Sequence, residues 1–231
     1  MVSKDTSAVE RVNKAWDRID AWYAKNVTDW TLPGGASDEE IDDLAKHLNL
    51  TFPEEFRVSL KRHNGVESGN WAGFKGYLLS IQDIKEEWDG WMAPKRDGTH
   101  DEYEIAKSDI WKEEYWCEGW VPIDIEDGYG LVMDLAPGPK GRLTQIIIFN
   151  MDMGPEEVIH PDYPSYLEAV ANELEKGLWS WKATYLEKNE DEKEDKDDEE
   201  EEDEDENDGE DDDEEEDETE ETDKKKKKVK K

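Results

Sequence analysis

Four histidines, one cysteine and a surplus of carboxylates are the residues of this 231-residue chain whose types could do chemistry. Their spacing argues against most of it. His47, His63, His100 and His160 are scattered, without the His-x-x-x-His or Cys-x-x-Cys spacing that sets two zinc ligands on one element. Structural or solvated histidines are expected. Cys117 is the only cysteine, so no intramolecular disulfide forms, and no basic residue adjoins it to lower its pKa. It reads as a buried, inert thiol in a reducing compartment. Asp124, Glu126, Asp127 and Asp134 flank a predicted turn and could converge on Ca²⁺ or Mg²⁺, but they lack the alternating oxygens of an EF-hand loop. A solvated turn is the plainer reading. A carboxylate-dependent hydrolase needs a paired acid and base, and among 65 acidic residues any two make a spurious pair. Gly34-Gly35 and Gly128-Tyr129-Gly130 lack the context of a phosphate loop. The sequence predicts no catalytic residue, no metal and no cofactor.

One binding chemistry stays open. Trp71, Trp88, Trp91, Trp111 and Trp116 fall in the irregular middle of the chain, more indoles than a modest core requires. Core packing is the first expectation for each; an exposed partner anchor is the second, because tryptophan is enriched at interface hot spots.

The elements that must position these residues follow from periodicity and punctuation. Val9, Val12, Trp16, Ile19 and Tyr23 recur at helical spacing, which predicts an amphipathic helix over about 6–26. Ser37 with Glu40 is a capping box ahead of Ile41, Leu44 and Leu48, and Pro53 suits the first turn of a third helix ended by Asn64-Gly65. Tyr77-Leu78-Leu79 predicts a short strand, Ile81 to Trp91 a helix, and 93–107 a loop. Residues 120–125, 131–135 and 143–149, separated by glycine-containing turns, predict an antiparallel meander whose last strand, apolar on both faces, is central. Trp120 and Pro122 start its first strand. Ser165 with Glu168 repeats the capping box for a last helix stopped by Gly177. The result is an α+β domain: N-terminal helices, central antiparallel sheet, C-terminal helix.

Composition divides the chain. All 11 Trp, 8 Tyr and 4 Phe precede residue 187, whereas 187–231 holds 29 of the acidic residues, 10 lysines and Val229 as its single hydrophobic residue. Such a segment cannot offset its ordering entropy. Residues 1–186 are therefore expected to form the globular domain and 187–231 a disordered acidic tail. Both parts are acidic, at net −17 and −19, which disfavours nucleic acid and anionic membranes and favours basic protein partners. The opening MVSKDTSAVERVNKAW has no apolar signal core, and no stretch of the chain has the length and apolarity of a spanning helix. An intracellular protein is expected. Lys224 to Lys228 with Lys230-Lys231 resembles a nuclear-import signal, and the same lysines also suit a contact with the acidic run.

Read in order, Trp16-Asp17-Arg18-Ile19-Asp20-Ala21-Trp22, Ala36-Ser37-Asp38-Glu39-Glu40-Ile41, Leu50-Thr51-Phe52-Pro53-Glu54-Glu55-Phe56-Arg57 and His63-Asn64-Gly65 resemble the opening of SUKH domains. Gly76-Tyr77-Leu78-Leu79-Ser80, Gly119-Trp120-Val121-Pro122-Ile123, Asp134-Leu135-Ala136-Pro137-Gly138-Pro139 and the Ser165-Tyr166-Leu167 helix are similar to the remainder. That superfamily includes fungal cell-wall synthesis regulators, bacterial toxin-immunity proteins and a subunit of the animal tubulin polyglutamylase complex. The resemblance implies a protein-binding adaptor or regulatory scaffold with no catalytic constellation and no fixed binding surface. Pro53, Asn64, Gly65, Trp120, Pro122 and Asp134 carry the motif and also have structural readings of their own. Two other functions compete: a chaperone or binder of basic proteins such as histones, acting through the acidic tail, and the carboxylate-dependent hydrolase.

Overall fold

Caps fix where the helices begin. Ser7 and Ser37 each accept from the backbone N–H three residues on, while Glu10 and Glu40 reach back to the cap N–H. These boxes start α1 (Ala8–Asn26) and α2 (Asp38–Leu48), which precede α3 (Glu54–Arg62) with Pro53 at its cap. The computed structural model describes residues 7–189, apart from 104 and 106. The predicted disorder of the acidic segment, and its lysine-rich end, lie outside the described residues.

α4 (Ile81–Asp97) opens on a third box, Ser80 with Asp83, and continues through Pro94 into the stretch expected to be loop. Pro94 sits one turn from the end, where the missing N–H removes a single hydrogen bond, and Gly98 at φ 84° closes the helix. A short 3₁₀ turn (Thr99–Glu102) follows. The predicted strand at 77–79 shrinks to one bridge between Leu78 and Val66. Gly76, at positive φ, and the Ser80 cap crowd it on either side.

The meander is present and longer than expected. β1 (Trp120–Glu126), β2 (Tyr129–Asp134), β3 (Gln145–Asn150) and β4 (Gly154–His160) form one antiparallel sheet in that order. β3 is internal, as its two-sided apolarity required, and Ile146, Ile147 and Phe149 are buried. β4 was not foreseen: Pro155, Glu156 and Glu157 disguise an edge strand whose outer side has no strand partner. A bulge at Ile123 turns its carbonyl to accept from Leu79 N–H at 2.9 Å.

α5 (Tyr163–Glu175) corrects the expected cap. Pro164 belongs to its first turn, so the cap lies upstream at Asp162, which accepts from Ser165 N–H at 2.8 Å. Glu168 is drawn instead to Arg11 of α1, whose guanidinium donates to Glu168, Asp162 and Ser165. Trp16 Nε1–H donates to Ser59 Oγ, which pairs with Tyr163 OH, both at 2.8 Å, so one buried chain ties α1, α3 and α5. A hairpin of β5 (Trp179–Trp181) and β6 (Leu186–Lys188) continues past residue 186, where the composition changes.

The two residues of Asn64-Gly65 act differently. Only Gly65 has positive φ, at 80°, whereas Asn64 uses its side-chain oxygen to accept from Ile81 N–H at 2.8 Å. A Cβ on Gly65 would lie 2.5 Å from Ser80 N. Gly65→Ala is expected to lower the unfolding free energy by about 2 kcal/mol or more, since left-handed strain adds to a backbone clash at the start of α4. Urea denaturation followed by far-UV circular dichroism measures it, and a loss below about 0.5 kcal/mol would contradict the close approach.

Candidate functional site

The deepest polar feature is a chain of side chains crossing from the 71–76 loop to the sheet. Trp71 Nε1–H donates to Tyr166 OH at 2.8 Å, and Tyr166 OH donates to Asp124 Oδ2 at 3.2 Å. Asp124 is fully buried and also accepts from Phe74 N–H at 2.6 Å and Lys75 N–H at 2.9 Å. Gly73 admits this approach, because a Cβ there would strike Asp124 Oδ2. Burial pushes the Asp124 carboxyl up to about 6, against the pull of these donors.

Above this chain opens a cavity of 450 Å³ lined by Phe74, Leu131, His160, Tyr166, Glu173 and Trp179. Burial holds His160 below the usual imidazole range, so it is neutral at pH 7. Glu173 Oε2 accepts from Trp179 Nε1–H at 2.9 Å and lies 3.6 Å from Lys188 Nζ. The cavity can receive an inserted side chain, apolar at its Leu131 wall and polar at its rim. Its lining residues, Lys188 of β6 among them, come from six separate elements or loops. Local sequence marked His160 only as one of four scattered histidines and Tyr166 only as part of a helix, and topology brings them together with Phe74.

The second buried carboxylate, Asp134, stands on the opposite face. Asp124 pairs in register with Leu131 and shares its face, whereas Asp134 lies three residues further along β2. Asp134 accepts from Ala136 N–H at 2.8 Å and Gln145 Nε2–H at 2.9 Å, which fixes the start of the β2–β3 connection. These two carboxylates make no acid–base pair and share no cation. Among the described residues no group of three or more His, Cys, Asp or Glu is placed to hold a metal. Cys117 is buried, and its thiol is pushed up to about 11, first by desolvation.

The five candidate tryptophans belong to the interior. Trp71 and Trp116 have no exposed surface and Trp88 and Trp111 are buried. Trp91, half-buried, stacks on Trp116 at 5.3 Å and meets the edge of Phe149 at 4.8 Å. Four of the five are thus buried, and Trp91 lies half-buried against the core. Of the motif residues, Pro53 stands at the α3 cap, Asn64 and Gly65 follow α3 and meet the start of α4, Trp120 and Pro122 lie in edge strand β1, and Asp134 ends β2.

A sheet with helices packed against it, its two interior carboxylates hydrogen-bonded by main-chain and side-chain donors, defines an α+β domain whose buried polar groups hold loops in place. The chain belongs to the SMI1 / KNR4 family (SUKH-1), whose model matches residues 35–178. It is similar to a Neurospora crassa "Glucan synthesis regulatory protein" (26% identity, 73% of this chain, 39% of that one). A Schizosaccharomyces pombe "Cell wall biosynthesis/cell cycle regulator smi1" is 29% identical over 73% of this chain and 37% of its own length. The Saccharomyces cerevisiae "Cell wall assembly regulator SMI1" is 24% identical over 77% and 43%. The chain spans about two fifths of the length of these relatives. These relatives are named as regulators, and no helix among the described residues is long and apolar enough to cross a membrane.

Proposed function

We propose that the chain is a regulatory interaction domain of the cell-wall-synthesis type, which binds another protein inside the cell and performs no chemistry on it. The family match over residues 35–178 carries the reading, because it spans everything from α2 through the sheet to the end of α5. The names of the relatives supply the process, regulation of glucan synthesis or of cell wall assembly. The placement of Asp124 and Asp134 on opposite faces of the sheet supports a scaffold, since a hydrolase needs a paired acid and base at one site.

A second reading rests on the 29 acidic residues of 187–231: a chaperone of basic proteins, with that segment as its active element. In the same reading the Lys224–Lys231 run gives access to the nucleus. Affinity capture from source-cell extract, with the full chain and with one ending at residue 189, separates the two. The first expects one partner retained by both forms and resistant to salt. Partners seen only with the full chain, and lost as screening increases, would establish the second.

A further inference from the structure

The end of the sheet that carries the β1–β2 and β3–β4 turns presents Tyr129, Met151 and Met153, with Phe74 against the Tyr129 ring. Phe74 is 39% exposed, Met151 48% and Met153 65%. Scattered exposed hydrophobics are ordinary, but these are held in register. Met151 N–H donates to Gly128 O at 2.8 Å, which clamps one turn to the other, and Tyr115 OH donates to Met151 O. Gly128, at φ 75°, lets Met151 lie over it, since a Cβ there would be 2.8 Å from Met151 Sδ. Tyr129 pairs with Asn150 across the sheet, and its ring meets that of Phe74 at 5.4 Å.

Apart from Lys75, the charges beside this patch are negative. Glu126, Asp127, Asp152, Glu156 and Glu157 are exposed, and neither 126–130 nor 150–157 contains a lysine or arginine. The neighbouring cation, Lys75, lies over the Tyr129 ring at 4.5 Å. An apolar centre inside an acidic rim rejects phosphate-rich surfaces and suits cationic side chains around an apolar face. Methionine's unbranched side chain adapts to differing apolar partners. Phe74 also lines the 450 Å³ cavity, so an anchor side chain has a hole beside the patch.

We propose that this turn end of the sheet docks an amphipathic segment of a partner protein, whose apolar residues meet Phe74, Tyr129, Met151 and Met153 while flanking Lys and Arg meet the acidic rim. It rests on the interaction-domain reading and assigns that reading its surface and partner chemistry.

The test uses the full chain, ¹³C-labelled at methionine methyls, and a short synthetic helix with leucine at i, i+3, i+4 and i+7 and lysine elsewhere. Saturable shifts of the Met151 and Met153 methyls are expected, with the buried Met92 and Met133 unmoved. Met151→Gln with Met153→Gln should weaken binding about tenfold at physiological salt and leave the melting temperature unchanged. A scrambled peptide of the same composition should bind more weakly. Equal binding by scrambled peptide, or by the double variant, would overturn the proposal and assign binding to the acidic segment. Methyl shifts produced by raising protein concentration alone would overturn it in favour of a second copy, and shifts produced by phosphatidylglycerol vesicles in favour of a membrane. A native partner captured equally by wild type and double variant would sink this surface while leaving the interaction function intact. Capture by neither form would count against the function, and the peptide titration would still decide the surface.

Discussion

Replacing Trp71 with alanine is expected to lower the unfolding free energy by about 3–5 kcal/mol, the range for emptying a buried large aromatic site. The ring has no exposed surface, lies 5.5 Å from Trp16 and supplies the only side-chain donor recorded to Tyr166 OH among the described residues. Trp71→Phe retains most of the volume but removes that donor, which predicts a loss of about 1–2 kcal/mol for the unpaired acceptor. With total stabilities commonly about 5–15 kcal/mol, the alanine variant should show a visibly shifted urea midpoint. An exposed partner anchor behaves in the opposite way, with stability nearly unchanged and binding lost. A loss below about 1 kcal/mol for the alanine variant would return Trp71 to that role.

The tryptophans also mark where sequence reading stops. Their helical neighbours announced α1, α2, α3 and α5, because each carries a cap or a proline at its start and an apolar stripe at a period of 3.6. Three strands of the meander were legible for a similar reason: each is apolar between glycine-bearing turns. β4 was hidden because an edge strand tolerates Pro155 and two glutamates, and β5 and β6 because three residues are too few for a period to show. The cap of α5 was misplaced by three residues, since the Ser165–Glu168 spacing is correct for a box but Arg11, far away in sequence, takes Glu168. Trp116 packs against the edge of Phe149, and Trp88 donates its Nε1–H to Glu118 O in the segment leading into β1, contacts that no local pattern encodes. The same holds for the 450 Å³ cavity, built from residues between 72 and 188. What could be read locally was the frame.

Asp124 gives the frame a pH dependence whose direction follows from its surroundings. Desolvation raises its folded-state pKa to about 6 from an ordinary 3.8, although Phe74 and Lys75 N–H groups and Tyr166 OH favour the charged form. A folded pKa above the unfolded one means the folded state binds the proton more tightly. The associated stability is present in full below pH 3.8 and disappears as pH rises through about 6. From this group alone, the unfolding free energy should fall by about 2–3 kcal/mol between about pH 4 and pH 7. The whole-protein curve mixes this with groups of opposite sign. Against partial burial, Arg11 and Ser165 hold Asp162 below the usual carboxylate range, so its contribution is lost as pH falls. Asp124→Asn isolates the effect, because asparagine keeps the shape and does not titrate. Its stability is penalised at every pH, since its amide N–H₂ must face a backbone donor. The wild-type advantage over Asp124→Asn should therefore shrink as pH rises from about 4 to about 7, measured by urea unfolding at each pH. A constant difference would mean that the two backbone donors outweigh desolvation and that the carboxylate is charged throughout. The 71–76 loop would then be anchored by an ionised group buried behind Tyr166, the residue that separates it from the cavity.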